Sequence, residues 1–142
     1  MNSGQKMRRV AALAVTAVAA GGFALSTAAP AAAATHVNGK LESTEFGLYY
    51  NSGQVGCVLD LGAAENQFSQ HRFKDPSNVN CNGEGQNTND NTASYWNRAS
   101  YTWYVWTDSF QEGTRGSLPA GHSGNASSTF KNEISSASWY IF

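Results

Sequence analysis

The feature of this sequence that most restricts its fold is a short spacing that occurs twice. In "LYYNSGQVG" and "VWTDSFQEG", six residues separate an aromatic residue from a glycine, namely Tyr49 from Gly56 and Trp106 from Gly113. A glycine tolerates the positive φ of a sharply folded hairpin, and an aromatic ring can lie over a position that has no Cβ. A serine from a later strand can then hydrogen-bond the backbone exposed at that corner. The spacing therefore predicts two folded hairpins.

The repeat extends beyond these two stretches. Aligning them also aligns apolar residues of the presumed core face, Phe46 with Trp103 and Leu48 with Val105. Further along, "DNTAS" (residues 90–94) and "NEISS" (residues 132–136) each begin with Asp or Asn and end with Ser, and each leads into a strand containing Trp. The same pieces thus occur twice in the same order. This predicts two copies of one motif, with Ser94 and Ser136 at the folded corners.

The N-terminal segment has the composition of a secretory signal peptide. Lys6, Arg8 and Arg9 precede a weakly apolar stretch rich in Ala and Gly, and "AAPAAAAT" then offers small-residue cleavage sites. A membrane anchor is the alternative, but no stop-transfer charges follow the stretch. We predict a signal peptide over residues 1–34 and a single secreted, extracellular domain over residues 35–142, with no membrane attachment after cleavage.

The remainder of the chain favours short strands over helices. No segment places apolar residues at three- and four-residue spacing over three turns, and Gly, Asn, Ser or Thr interrupt the sequence about every ten residues. In "EFGLYY" and "SYTWYVWT" the side chains alternate in character as they do in a strand, and "SASWYIF" is a third apolar run. Several short strands separated by turns predict an all-β antiparallel sandwich or barrel.

The net charge and the two cysteines limit which binding partners and which metal sites this chain can have. Loss of the signal peptide removes three basic residues and changes the formal charge from −1 to −4, so we expect no nucleic-acid partner. Cys57 and Cys81 are the two cysteines, and in an exported chain they most simply form one disulfide. A zinc site that adds His71 and His122 is the alternative, although those spacings match no usual pair of zinc ligands.

The sequence offers little for catalysis. "GHSGN" at residues 121–125 nearly matches a nucleophile elbow, but Asn125 replaces the second glycine and no strand and helix flank it. His36, His71 and His122 are scattered among polar residues without an HExxH pairing. We predict that the protein is not an enzyme.

The aromatic, the glycine and the later Asx-Asx-x-x-Ser loop together resemble the βγ-crystallin Greek-key motif. Two such motifs form one domain of about 100 residues, which implies two Greek keys in a sandwich of two antiparallel, four-stranded sheets. The signal peptide, "FGLYYNSGQVG" and "STFKNEISSASW" further resemble the secreted actinobacterial peptidase inhibitors, whose best-known members inhibit metalloproteinases. This resemblance covers residues 46–139. It implies a secreted inhibitor of a peptidase, and we expect a monomer.

An inhibitor that enters a protease cleft as a substrate mimic needs a rigid loop, because pre-ordering avoids much of the entropic cost of binding. The segment between Cys57 and Cys81 meets that need if the two cysteines are bonded. It offers apolar side chains for a metalloproteinase pocket, with Val58, Phe68 and Phe73 as the contact candidates. The alternative is that the phenylalanines belong to the core and that the disulfide only stabilises a small domain.

Calcium binding and glycan binding are the alternative functions of an extracellular module with a structural role. In the crystallin fold, paired Asx loops can assemble a calcium site from carbonyls, Asx side chains and Ser hydroxyls. By resemblance, the candidate ligands are Asp90, Asn91 and Ser94 together with Asn132, Glu133 and Ser136. Asn and Gly are also common in structural turns, so the loops can equally be corners without metal, and we expect no obligatory cofactor. Glycans could instead bind exposed rings among Tyr95, Trp96, Tyr101, Tyr104 and Trp106.

Overall fold

The structure is a computed structural model that describes residues 36–141. The predicted signal peptide, its cleavage boundary before Thr35 and the last residue lie outside the described residues. The strands of the described part are β1 (Phe46–Asn51), β2 (Val55–Leu61), β3 (Ser94–Asn97), β4 (Trp103–Trp106), β5 (Arg115–Leu118), β6 (Ser123–Asn125) and β7 (Ser136–Ser138). One 3-10 helix spans Phe68–Gln70, and Ser109–Gln111 is a turn in which Phe110 and Gln111 have positive φ. Among residues 36–141, no helix has the length and hydropathy needed to cross a membrane.

The strands form two antiparallel sheets. The first has the order β2-β1-β3-β6 and the second has the order β5-β4-β7. The two leading hairpins share one register, since Phe46 lies opposite Leu61 in the first and Trp103 lies opposite Leu118 in the second. The prediction of an all-β sandwich of two antiparallel sheets is confirmed.

Each motif pairs with the sheet of the other through the segment that follows its leading hairpin. In the first sheet, β6 of the second motif pairs with β3 of the first. The corresponding segment of the first motif reaches the second sheet only at Glu65, whose amide and carbonyl bond Ala137 in β7 at 2.8 and 2.9 Å. Beyond Glu65 the chain turns inward and buries Phe68 completely. This is why the described part of the second sheet has three strands and one bridge, where the resemblance implied four strands.

Aromatic side chains from both sheets fill the centre of the core. Phe46 of β1 stacks on Trp103 of β4 with ring centroids 4.9 Å apart, and neither side chain has any solvent exposure. Leu48, Leu59 and Val105 pack in the same cluster. Each large apolar side chain buried in this way contributes about 1.5–3 kcal/mol. Alternation along β1 and β4 therefore places the aligned apolar residues of the two repeats face to face.

Candidate functional site

The first folded corner lies in the hairpin between β1 and β2. Gly56 has φ +85°, and an added Cβ would lie 2.8 Å from the carbonyl oxygen of Asn82. The buried hydroxyl of Ser94 accepts a hydrogen bond from the amide of Gln54 (2.9 Å) and donates one to the carbonyl of Asn51 (2.6 Å). These bonds satisfy backbone groups that the sharp fold would otherwise leave unpaired.

The second corner, between β4 and β5, repeats this arrangement. Gly113 has φ +74°, and the hydroxyl of Ser136 accepts a hydrogen bond from the amide of Gln111 (3.1 Å) and donates one to the carbonyl of Asp108 (2.7 Å). Gln111 has φ +63°, and its counterpart Gln54 has φ +57°. The two corners therefore agree in backbone conformation and in hydrogen bonding.

One detail of the corners differs from the expectation. The atoms nearest to an added Cβ at Gly56 belong to Asn82, Asn51 and Tyr50, and none of the three belongs to the ring of Tyr49. At Gly113 the nearest atoms belong to Thr107 and Asp108, and none belongs to Trp106. The space around Gly56 is thus limited by the hairpin and by Asn82, which lies outside it, and the space around Gly113 by its own hairpin. Trp106 is instead a buried residue.

The two Asx loops lie against each other across the boundary between the motifs. The amide of Asp90 donates to the carbonyl of Ile134 (3.1 Å), and the amide of Asn132 donates to the carbonyl of Thr92 (2.8 Å). Asp90 and Asn132 hold equivalent places in the two repeats, and both have positive φ, at +54° and +58°. The loops therefore bond each other reciprocally, with an approximate two-fold relation.

The polar side chains break this two-fold relation. Oδ1 of Asp90 accepts a hydrogen bond from the hydroxyl of Ser135 at 3.0 Å. On the other side, the residue equivalent to Ser135 is Ala93, which has no hydroxyl to offer Asn132. Only the side that contains Asp90 combines a carboxylate with a hydroxyl, and these are hard oxygen ligands of the kind that calcium prefers.

Two of the predicted calcium ligands are corrected by their contacts. The hydroxyls of Ser94 and Ser136 are buried and bonded within the hairpin corners, so neither is available to the loops as a ligand. The serine that contacts Asp90 is Ser135, one position earlier. Sequence reasoning missed it because it took the serine that ends the pattern, Ser136, as the ligand and did not consider the serine before it. The doublet Ser135–Ser136 was the available signal.

The other candidate ligands lie at the loop surface. The side-chain amide of Asn91 donates to the carbonyl of Asn87 (2.8 Å), and Glu133 is exposed. A cavity of about 280 Å³ adjoins the Asn132 side and is lined by Tyr50, Asn51, Ser52, Asn91, Ala93, Lys131 and Asn132. Lys131 brings a positive charge there, which opposes a cation. At the equivalent positions on the side of Asp90, Asn89 replaces Lys131, Ser135 replaces Ala93 and Asp108 replaces Asn51.

Cys57 and Cys81 form a disulfide, with their Cα atoms 5.1 Å apart, as predicted. The zinc alternative is wrong, because both thiols that it requires are bonded to each other. His71 instead places Nε2 at 2.6 Å from a carboxylate oxygen of Glu65. The disulfide thus joins β2 to a point 24 residues further along the chain.

The side chains nominated for protease contact lie in the core. Val58, Phe68 and Phe73 have 6%, 0% and 2% of their surface exposed, so none of them can enter a protease pocket, and this prediction is wrong. A domain of this size has little apolar surface to bury, and it uses the large side chains of the segment to fill its core. The ring of Tyr50 packs edge-on against Phe73 at 5.6 Å.

The longest exposed run in the disulfide-bounded segment is residues 76–80, within its last stretch, which we call the Asp75–Cys81 loop (residues 75–81). Val79 in this loop has 71% of its surface exposed, more than any other large apolar side chain in residues 36–141. The carboxylate of Asp75 accepts hydrogen bonds from the amides of Ser77 (3.0 Å) and Cys81 (3.2 Å). Although desolvation opposes ionisation, such backbone hydrogen bonds hold the pKa of Asp75 below its ordinary value. One carboxylate therefore ties both ends of the loop together.

Two solved structures resemble this chain. One is a βγ-crystallin from Ciona intestinalis, with a TM-score of 0.52, 17% identity, and coverage of 68% of this chain and 99% of that chain. The other is a structure that concerns the evolution of the eye lens βγ-crystallin domain fold. It has a TM-score of 0.54 and 16% identity, and the match covers 72% of this chain and 92% of that chain. The fold is βγ-crystallin-like. No protein-family model and no curated protein matches the chain.

The aromatic residues nominated for glycan binding do not form one flat strip in this βγ-crystallin-like domain, because Tyr101, which is 41% exposed, is tilted by 59° from the neighbouring ring of Trp139. Trp106 is buried, and Tyr95 and Tyr104 are half-buried. Trp96 is 41% exposed, but the guanidinium of Arg98 lies over its ring at 5.3 Å. Glycan binding therefore has less structural support than the disulfide loop or the Asx loops.

Proposed function

We propose that the protein is a secreted peptidase inhibitor without catalytic activity, and that the Asp75–Cys81 loop is its contact surface. The observation that carries this proposal is an exposed apolar side chain, Val79, in a loop whose ends are held by Asp75 and by the disulfide. The proposed class of target, a metalloproteinase, comes from the resemblance to the secreted actinobacterial inhibitors.

The loop has the properties that a substrate mimic requires. Its ends are ordered before binding, which lowers the entropic cost of association. Burial of Val79 in an apolar pocket would contribute about 1.5–3 kcal/mol. If the protease cut the chain between residues 76 and 80, both ends would stay in place, because Phe73 is buried and Cys81 is bonded to Cys57. A cleaved loop could therefore remain in the cleft instead of diffusing away.

The test is a titration of a thermolysin-type metalloproteinase with purified protein, with a serine protease in parallel. We expect Val79→Asp to weaken inhibition by at least about 30-fold, because a pocket that accepts an apolar side chain rejects a buried unpaired charge. Val55→Asp is the matched control, since Val55 is also exposed, at 58%, but lies outside the loop. Ala120→Asp adds a charge in the connection before β6. Circular dichroism and melting curves verify that each variant is folded.

The possible outcomes distinguish a wrong choice of contact loop from a wrong proposal of inhibition. Wild-type inhibition by a folded Val79→Asp variant would show that the Asp75–Cys81 loop is not the contact surface. Loss of inhibition in Val55→Asp or Ala120→Asp alone would move the contact to that region. If the wild-type protein inhibits neither protease at micromolar concentration, the inhibitor proposal fails.

Calcium binding is the second candidate function, and the contact between Asp90 and Ser135 favours it. The carboxylate, the hydroxyl and nearby carbonyls are suitable oxygen donors, and bound calcium would supply positive charge between the two motifs. On the other side of the approximate two-fold, Ala93 and Lys131 provide no such set. We therefore propose one calcium site in the Asx loops, on the side that contains Asp90 and Ser135.

A calorimetric titration with calcium, combined with melting curves, tests this candidate. We expect one site, a melting temperature that rises with calcium, and loss of both in Asp90→Ala. The triple variant Ala93→Ser/Lys131→Asn/Asn132→Asp copies the favourable carboxylate and hydroxyl onto the other side and should raise the stoichiometry towards two. A wild-type protein that shows neither heat nor a thermal shift would leave the loops as structural corners.

A further inference from the structure

A group of three carboxylates near the beginning of the described chain serves neither of these proposals. Glu42, Glu45 and Asp60 each place one carboxylate oxygen so that the three oxygens lie within 4.8 Å of one another. Glu45 and Asp60 are buried, with 1% and 0% of their surface exposed, and Glu42 is half-buried. Three acidic groups at this separation, away from water, require a proton or a cation among them.

The hydrogen bonds of the group leave one buried oxygen without a partner. Both oxygens of Asp60 accept backbone amides, from Asn38 at 2.9 Å and from Gly39 at 2.7 Å. Oε2 of Glu45 accepts the amide of Glu42 at 2.8 Å. Oε1 of Glu45 is buried and has no hydrogen-bond partner. A buried carboxylate oxygen without a partner is costly, and it indicates the place of a missing ligand.

Arg98 and Lys74 do not neutralise the group. The guanidinium of Arg98 donates to the carbonyl of Leu41 (2.9 Å), and the ammonium of Lys74 donates to the carbonyl of Val37 (2.6 Å). Within residues 36–141, the structure records no ion pair to any of the three carboxylates. Burial, together with the charges of Glu42 and Asp60, raises the pKa of Glu45 to about 7, and burial also raises the pKa of Asp60.

We propose that Glu42, Glu45 and Asp60 form a binding site for a hard divalent cation. Carboxylate oxygens are the ligands that calcium, magnesium and manganese ions prefer. The cation would take Oε1 of Glu45 as a ligand and displace its proton to solvent. It would also link the segment 37–42 to β2, on which that segment is already docked through the amide of Val37 and the carbonyl of Asp60 (2.7 Å). This site lies in the first motif alone, because Ala99, Thr102 and Ser117 stand at the equivalent positions of the second.

The test is a titration of ¹⁵N-labelled purified protein with MnCl₂, followed by its amide resonances. Paramagnetic Mn²⁺ broadens nearby amides, so we expect early broadening at Asn38, Gly39 and Glu42, reversed by excess CaCl₂. Glu42→Gln removes one ligand at a half-buried position and should raise the MnCl₂ concentration required by at least about tenfold. Glu84→Gln is the matched control, the same change at an exposed glutamate outside the cluster.

Two further measurements make the outcome decisive. Asp90→Ala should leave the broadening at Asn38 and Gly39 unchanged, which separates this site from the Asx loops. Calorimetric titration with MnCl₂ should give a binding heat for the wild type that is weakened in Glu42→Gln and unchanged in Glu84→Gln. Absence of broadening at Asn38 and Gly39, or equal broadening there in Glu42→Gln and in the wild type, would overturn the proposal.

Discussion

The two Greek-key motifs share their corners and differ in what they carry between their strands. Their leading hairpins have the same register, and Ser94 and Ser136 make the same two hydrogen bonds to them. Between the second and fourth strands, however, the first motif has residues 62–93 and the second only residues 119–135. The corners, not the length of this segment, therefore define the motif.

The longer segment of the first motif contains the features proposed here for inhibition. It contributes Phe68 and Phe73 to the core, is tied to β2 by the disulfide at Cys81 and exposes Val79. It reaches the second sheet through one bridge at Glu65, whereas the second motif keeps a true third strand in β6. A scaffold fixed by its corners thus tolerates a long insertion at a position where binding residues can be displayed.

The largest expected effect is that of removing the disulfide, which is present in the first motif alone. Cys57→Ala/Cys81→Ala should lower the free energy of unfolding by about 2–4 kcal/mol, because the unfolded chain gains the entropy of an open loop. Denaturant unfolding measures the difference, and the wild type treated with reductant is the control. An unchanged midpoint would mean that core packing of the insertion is sufficient by itself.

A pH dependence should also belong to the first motif alone. The pKa of Glu45 is raised from 4.5 to about 7 in the folded protein, so between these values the folded state binds more protons than the unfolded state. Stability must then fall as the pH rises through this range, by on the order of 2 kcal/mol once Glu45 is ionised. Urea unfolding in the presence of a chelator, at about pH 5 and about pH 8, measures the loss.

The matched variant for this pH dependence is Glu45→Gln, which cannot ionise. We expect it to remove most of the slope, and any remainder is assigned to Asp60, whose pKa is raised by burial. The second motif has Thr102 at the position equivalent to Glu45 and should contribute nothing. Equal stability at both pH values in the wild type would contradict the shifted pKa.

The smallest expected effect is that of replacing the corner glycines by alanine, and it compares the two corners directly. Gly56→Ala and Gly113→Ala should each cost at least about 1 kcal/mol, because both glycines have positive φ. Gly56→Ala should cost more, since its new Cβ would meet a backbone carbonyl, whereas at Gly113 it would meet side chains that can rotate. Thermal and denaturant unfolding measure both.

Gly85 supplies the control for backbone strain alone. It has φ +75°, and no atom lies within 4 Å of an added Cβ. If Gly56→Ala, Gly113→Ala and Gly85→Ala cost the same, strain accounts for everything and the close contact at Gly56 has no effect. If neither corner variant is destabilised, the repeated glycine spacing has no structural importance.

The sequence alone was sufficient for the fold class and the duplicated hairpins. Alternation of side chains and the positive φ that a glycine permits are local properties, so they are visible in "FGLYYNSGQVG" and in its second copy. The disulfide was likewise predictable, because a chain that is predicted to be exported and has two cysteines has one simple pairing. What these patterns could not supply was the position of each residue relative to distant parts of the chain.

The tertiary structure decided which residues of the candidate sites can act. Phe68 and Phe73 were equally compatible with a loop or with the core, and only the path of the chain after β2 places them inside. The contact of Ser135 with Asp90 depends on two loops meeting across the motif boundary. The cluster of Glu45 and Asp60 depends on how segment 37–42 docks on β2. Each of these is a contact between segments far apart in the chain, whose geometry follows from packing and not from any local sequence period.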